Sequence, residues 1–165
     1  MARANPRKSL RPSILDRLID QEPHVDREAT RSATQKLTDL RQSVRRDLEN
    51  LLNTRYRVVE PPEDLEQLNV SLLNYGLPDL ATINISSVEK KREFTRDLER
   101  ILREYEPRFK SVKVTPMENR EATDRTLRFR IDAVLWADPA PQVVVFDSVL
   151  EPISRSVNVQ ESAHG

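Results

Sequence analysis

Apolar side chains recur at helical spacing through the first two thirds of the chain and alternate with polar ones in the last third. Leu37, Leu40, Val44, Leu48, Leu51 and Leu52 follow one another mostly at steps of three and four, which places them on one face of a helix. The spacing predicts a helix over about 33–53, with Arg41, Arg45, Arg46, Asp47 and Glu49 on its other face. A second stripe, Val88, Phe94, Leu98, Ile101, Leu102 and Tyr105, predicts a long helix from Val88 to Tyr105. Ser86 and Glu89 ahead of it have capping-box spacing. A shorter stripe, Ile14, Leu15, Leu18 and Ile19, predicts a brief amphipathic helix opened by Pro12 and closed by Pro23. Its apolar side either docks on a partner or folds back on its own domain. Weaker signals give a short strand at Tyr56 to Val59, broken by Glu60-Pro61-Pro62, and a helical stretch from Asp64 to Leu73.

After Pro107 the period changes. Val112 and Val114 alternate with Ser111 and Lys113 over Phe109 to Thr115. Leu127, Phe129, Ile131, Ala133 and Leu135 then alternate with Thr126, Arg128, Arg130 and Asp132, the pattern of a half-buried strand. Val143 to Phe146 is a continuous apolar run, as in a strand covered on both faces. Asp138-Pro139-Ala140-Pro141 predicts a turn ahead of that run, and Ile153 to Val159 a last short strand after it. Helices followed by hairpin-connected strands give an α+β fold: N-terminal helices, a long helix and a small, mostly antiparallel sheet with the helices on one face. The expected organisation is a basic tail, short helix and linker over 1–32, one domain over 33–159, and a tail over 160–165.

Composition narrows the chemistry. The 165 residues carry 27 basic and 27 acidic side chains, a formal net charge of zero, so a general phosphate-backbone binder is not expected. Arginine outnumbers lysine 21 to 6, which favours forked pairing with carboxylates on this chain or a partner. There is no cysteine, hence no disulfide, thiolate nucleophile or thiolate metal site. The two glycines, Gly76 and Gly165, cannot build a phosphate-cradling loop, and Gly76 is expected where other residues resist the backbone conformation. His24 and His164 read as exposed, and no serine has a nucleophile elbow around it. No cofactor and no metal site is therefore expected. No run reaches membrane-spanning length, and the basic N-terminus lacks the apolar core of a secretory signal.

The most informative residues are Glu106, Pro107 and Arg108, at the junction of the long helix with the first strand. Proline stops the helix there and holds an acid and a planar cation on either side of a rigid corner. Around it, in order, stand Ser13–Leu18, Ser43–Arg55, Ser71–Leu80 and Val145–Pro152. Together these blocks, from about residue 10 to residue 159, resemble the lysozyme-like baseplate wedge family of contractile phage tails, and within it the baseplate subunits of type VI secretion systems.

The resemblance implies a structural protein rather than an enzyme, working in the cytoplasm at a baseplate anchored to the inner membrane. It implies that Glu106, Pro107 and Arg108 form the protein-binding site, docking on the wedge core made by TssF and TssG, with TssK as a further wedge partner. Arg108 would pair bidentately with a partner carboxylate, and Glu106 would orient it or take a partner arginine. It also implies that a β-edge formed by Val143–Leu150 and Ile153–Val159 templates the first ring of TssB/TssC sheath subunits by strand pairing. A phage-tail or other contractile-injection homologue would share the mechanism and differ in partners. The alternative from another class is a peptidoglycan-cleaving, lysozyme-like hydrolase using paired carboxylates, with Glu66, Glu106 and Asp132 among the candidate acids. Against it, aromatic residues make up only 5% and fall mostly on core stripes, and Glu106, flanked by Arg103 and Arg108, reads as ionised and paired.

Overall fold

Helix α1 (Ile14–Leu18), helix α2 (Ala33–Asn53), helix α3 (Val88–Tyr105) and four strands are the main elements among the described residues. They are seen in a computed structural model that describes residues 13–19, 24, 32–57, 59, 62, 64–65, 67–68, 71–78, 87–119, 126–137, 140–151, 153–154 and 156–162. The basic tail, Pro12, Pro23, Glu60-Pro61, Glu66, Asp138-Pro139 and His164 lie outside the described residues, as does most of the expected linker over 20–32.

Both long helices have the limits that their apolar periods predict. Leu40, Val44, Leu48, Leu51 and Leu52 of α2 are buried, as are Phe94, Leu98, Ile101 and Leu102 of α3. Those four α3 side chains contribute roughly 2 kcal/mol each. Exposed charge pairs such as Arg100 with Asp97 contribute tenths of that. Packing, and not surface charge, holds the helix. The α3 cap differs from expectation: Ser87, not Ser86, is the N-cap, its hydroxyl accepting from the Lys90 amide. Val88 consequently sits at the frayed first position and is 59% exposed rather than part of the buried stripe.

The strands β1 (Phe109–Met117), β2 (Leu127–Leu135), β3 (Gln142–Glu151) and β4 (Ser156–Glu161) form one antiparallel sheet in the order β1-β2-β3-β4. Register puts apolar residues opposite one another on one face: Val114 with Ile131, Ile131 with Phe146, Leu150 with Val157. Phe129 and Phe146, both fully buried, lie at the centre of a core shared with α2 and α3. The other face carries Lys113 opposite Asp132 and an Arg130–Asp147 pair at 2.8 Å. The strand that contains the continuous apolar run extends beyond Phe146 to Glu151, and the last strand starts at Ser156 instead of Ile153, which is 99% exposed in the preceding turn. Val143–Leu150 is therefore not an edge: β3 is paired with β2 on one side and with β4 on the other.

Between α2 and α3 the weaker expectations fail. Of Tyr56 to Val59, the described residues Tyr56, Arg57 and Val59 are not in a strand; Arg55 makes a single parallel bridge to Leu77. In place of a continuous α-helix from Asp64 to Leu73, the described residues give 3-10 backbone at Gln67 and Leu68 and a 3-10 turn at Leu72–Asn74. Short apolar runs without a sustained period lack the cooperative length a helix needs. What fixes this segment is backbone contact: Leu77 N donates to Thr54 O at 2.8 Å and Tyr56 N to Leu77 O at 3.0 Å. The approach is so close that Gly76, at φ 113°, has room for no side chain; a Cβ there would stand 2.4 Å from Thr54 O. Gly76→Ala is expected to lower stability by about 2–3 kcal/mol through left-handed strain and that clash. Thermal unfolding checks it, as a fall in Tm of roughly 5–10 °C.

Candidate functional site

Pro107 ends α3 by removing the next amide donor, and the chain turns at once. Glu106 N still closes on Leu102 O at 3.0 Å, and Phe109 N donates back to Glu106 O at 3.1 Å. Glu106-Pro107-Arg108-Phe109 is thus a hydrogen-bonded β-turn with proline at its second position, where its fixed φ belongs. Glu106 is 4% exposed, Arg108 half-buried and Pro107 exposed.

The turn folds Arg108 back on Glu106. Glu106 Oε1 accepts from the Arg108 backbone N–H at 3.1 Å and from Nε at 2.6 Å, while Arg108 Nη2 donates to Oε2. The forked pairing expected for a partner carboxylate is made inside the chain. Arg103, expected to flank Glu106, pairs instead with Glu99. The remaining side of the guanidinium faces α2: Nη1 donates to Ser43 Oγ at 3.0 Å and Nη2 to Asp47 Oδ2 at 2.8 Å.

From α2 the network continues to the short helix. Asp47 Oδ1 accepts from Arg46 Nη2 at 3.0 Å, and the same nitrogen donates to Asp16 Oδ1 at 2.6 Å. Ser43 Oγ, which accepts from Arg108, donates to Asp16 Oδ2 at 2.6 Å. Asp16, Ser43, Arg108, Asp47 and Arg46 form a closed ring of hydrogen bonds and ion pairs. Asp16 also completes the capping box of α1 with Ser13. Tyr75, edge-on to Tyr105 at 5.3 Å between centroids, packs beside the ring.

The electrostatics follow from these contacts. Burial acts to raise the Asp16 carboxyl, but hydrogen bonds from Ser13, Ser43 and Arg46 outweigh it and hold the group well below the ordinary carboxylate range. For Arg108, burial opposes the charge, and hydrogen bonding and attraction from Glu106 and Asp47 more than restore it. Arg46 is held more firmly protonated, chiefly by Asp16. The Tyr75 hydroxyl is pushed up first by burial and then by the negative charge of Asp47 and Glu106.

Helix α1 meets this ring with its polar side. Ile14, Leu15, Leu18 and Ile19 are left 45–78% exposed, so the helix neither buries its apolar stripe against its own domain nor detaches. Folding back happens through Asp16 alone of the named side chains. Ser43, Arg46 and Asp47 lie at i, i+3 and i+4 on α2, a spacing that is visible in sequence. Their convergence with Asp16 and Arg108, through bonds that span up to 65 positions of the chain, is not.

Of the candidate acids of the hydrolase alternative, the two that are described, Glu106 and Asp132, do not converge. Both oxygens of Glu106 are engaged by Arg108 on the helix side of the molecule. Asp132 lies between the buried Ile131 and Ala133 and so faces away from the core. Among the described residues no group of three His, Asp or Glu is placed to hold a metal ion, and no helix is long and apolar enough to cross a membrane.

The profile of the family described as Baseplate wedge protein gp25 matches residues 38–140, more than half of the chain, from α2 through the corner to the end of β2. No curated protein matches the chain.

Two outcomes test the ring. Arg108→Ala leaves Glu106 buried and unpaired, and should cost about 3–5 kcal/mol in denaturant unfolding; the Glu106→Gln, Arg108→Met pair should cost less than the single change. Because folding lowers the Asp16 carboxyl, its stabilising effect is complete above the unfolded value of about 3.9 and is lost as pH falls towards the lower folded value. The amide signals of α1 should accordingly hold steady from about pH 8 to pH 5 and collapse to coil positions only in stronger acid. Asp16→Asn should produce much of that collapse at neutral pH.

Proposed function

Because the chain belongs to the baseplate wedge protein gp25 family, whose members have a structural role among other baseplate proteins, we propose that it is a non-enzymatic baseplate subunit of a type VI secretion system, filling the TssE position. Its docking site on the TssF–TssG core is the Glu106-Pro107-Arg108 corner, with TssK as a further neighbour in the wedge. Work at the cytoplasmic side of an inner-membrane-anchored baseplate belongs to the same reading.

The observation that carries the docking site is preorganisation. Glu106 clamps both the backbone and the side chain of Arg108, and Ser43 and Asp47 clamp the far side of the guanidinium. A partner meeting the exposed Pro107 and the rim of Arg108 orders little on binding, so less of its contact energy is spent on lost side-chain freedom. Arg108 then acts as the organiser of the surface, and a partner group adds to a fork already occupied by Glu106. Alongside docking, the subunit templates the first TssB/TssC sheath ring at its β4 edge, the one outer strand in the region expected for that role.

The test is co-expression with TssF and TssG followed by size-exclusion chromatography, for wild type, Arg108→Ala and Arg108→Lys, each checked for fold by circular dichroism. The lysine variant keeps the charge and loses the fork. Wild type is expected to co-elute, and folded Arg108→Lys to lose at least about tenfold in affinity. Co-elution of every variant at full strength moves the docking site elsewhere on a wedge subunit. Failure of wild type to co-elute removes the type VI reading, and a peptidoglycan-cleavage assay becomes decisive.

A further inference from the structure

Helix side chains cap backbone groups on both edges of the sheet. In an antiparallel ladder, alternate residues turn their N–H and C=O to opposite sides. On β4 the outward set is Val157, Val159 and Glu161. The Asn53 carboxamide takes both groups of Val157: Nδ2 donates to Val157 O and Val157 N donates to Oδ1, each at 2.8 Å. Those are the two bonds that a neighbouring strand would make with that residue. Further along, Arg45 Nη1 donates to Val159 O at 3.3 Å, and Arg41 pairs with Glu161 at 3.4 Å. Glu49 steadies the set, accepting from Arg45 through its carboxylate and from Asn53 through its backbone carbonyl. Arg41, Arg45, Glu49 and Asn53 stand four residues apart on α2, so a single helical stripe runs along the strand and substitutes for a partner.

The other edge is closed differently. On β1, Val114 N donates to Glu99 Oε2 at 3.1 Å, and Pro116, in the same outward phase, has no N–H to offer. That edge lacks a donor permanently. The β4 edge has no proline, and exposed or half-exposed side chains at the surface of α2 cap both groups of Val157 and the carbonyl of Val159.

We propose that the β4 edge is a gated strand-docking site, in which Asn53 stands in for a missing strand and an extended segment of a neighbouring subunit displaces it to pair with Val157 and Val159. This rests on the reading above that the subunit templates its neighbours through this edge. The gate keeps the edge from pairing indiscriminately before assembly, and it sets how strongly the arriving segment must compete.

The experiment compares wild type, Asn53→Ala and Arg45→Ala in the full chain. The probe is the purified TssB–TssC sheath pair, with amide hydrogen exchange at Val157 and co-elution with TssF and TssG measured alongside. Asn53→Ala should exchange faster at Val157 and bind the sheath pair roughly tenfold more tightly, since two competing hydrogen bonds are gone. Arg45→Ala should shift binding the same way by less, and co-elution with TssF–TssG should not change. Binding by Asn53→Ala no tighter than wild type overturns the gate, as does unchanged exchange at Val157. If neither form binds the sheath pair while both co-elute with TssF–TssG, the gate falls and the wedge reading stands. Tighter sheath binding by Asn53→Ala without co-elution of any form keeps the gate and removes the wedge-docking reading.

Discussion

A guanidinium removed from water must find acceptors in nearly every direction, and Arg108 finds them on two different elements. Glu106 meets it from the end of α3, and Ser43 and Asp47 meet it from the middle of α2. Breaking any one contact leaves a buried charge or polar group short of a partner, which costs more than an intact pair contributes. The direction in which α3 hands the chain to β1, and the distance of α2 from that handover, are therefore set together. Pro107 makes the arrangement possible by fixing the turn that brings the acid and the arginine, two residues apart, face to face.

The same ring decides where α1 goes. A five-residue helix has too little internal hydrogen bonding to stand alone, and here its apolar residues stay 45–78% exposed. Its place is fixed by Asp16, bonded to Ser43 and Arg46. The usual arrangement, apolar side inward and charged side outward, is inverted. An inverted short helix beside a rigid corner is out of keeping with an isolated monomer and in keeping with a part made to be covered in an assembly. The sheet edges fit that picture from the opposite side: the backbone of Val157, the carbonyl of Val159 and the amide of Val114, which could pair with a strand, are capped by Asn53, Arg45 and Glu99.

Much of the framework was legible in the sequence because periodicity depends only on local geometry. The stripe from Leu40 to Leu52 and that from Phe94 to Tyr105 delimit α2 and α3, and the alternation from Leu127 to Leu135 delimits β2. Boundaries set by a single hydrogen bond were not legible, as the choice of Ser87 over Ser86 illustrates. The corner itself was visible as Glu106, Pro107 and Arg108, whereas the identity of the carboxylate that Arg108 grips was not. From sequence, a partner's acid and the chain's own Glu106 are equivalent acceptors, and only the turn geometry selects between them.

By itself, then, the sequence determined the elements that repeat at a fixed period: two amphipathic helices, a two-sided strand pattern, and a proline corner where the period changes. Hydrophobic spacing encodes these, because each depends on neighbours within a turn or two. Tertiary structure alone decided that Asp16 closes a ring with residues 27 to 92 positions away, that Val143–Leu150 lies inside the sheet, and that Asn53 occupies the edge of β4. Those outcomes follow from where separate elements come to rest. A hydrogen bond between distant residues depends on relative positions of a few tenths of an ångström, which packing of the whole core sets and no local pattern records.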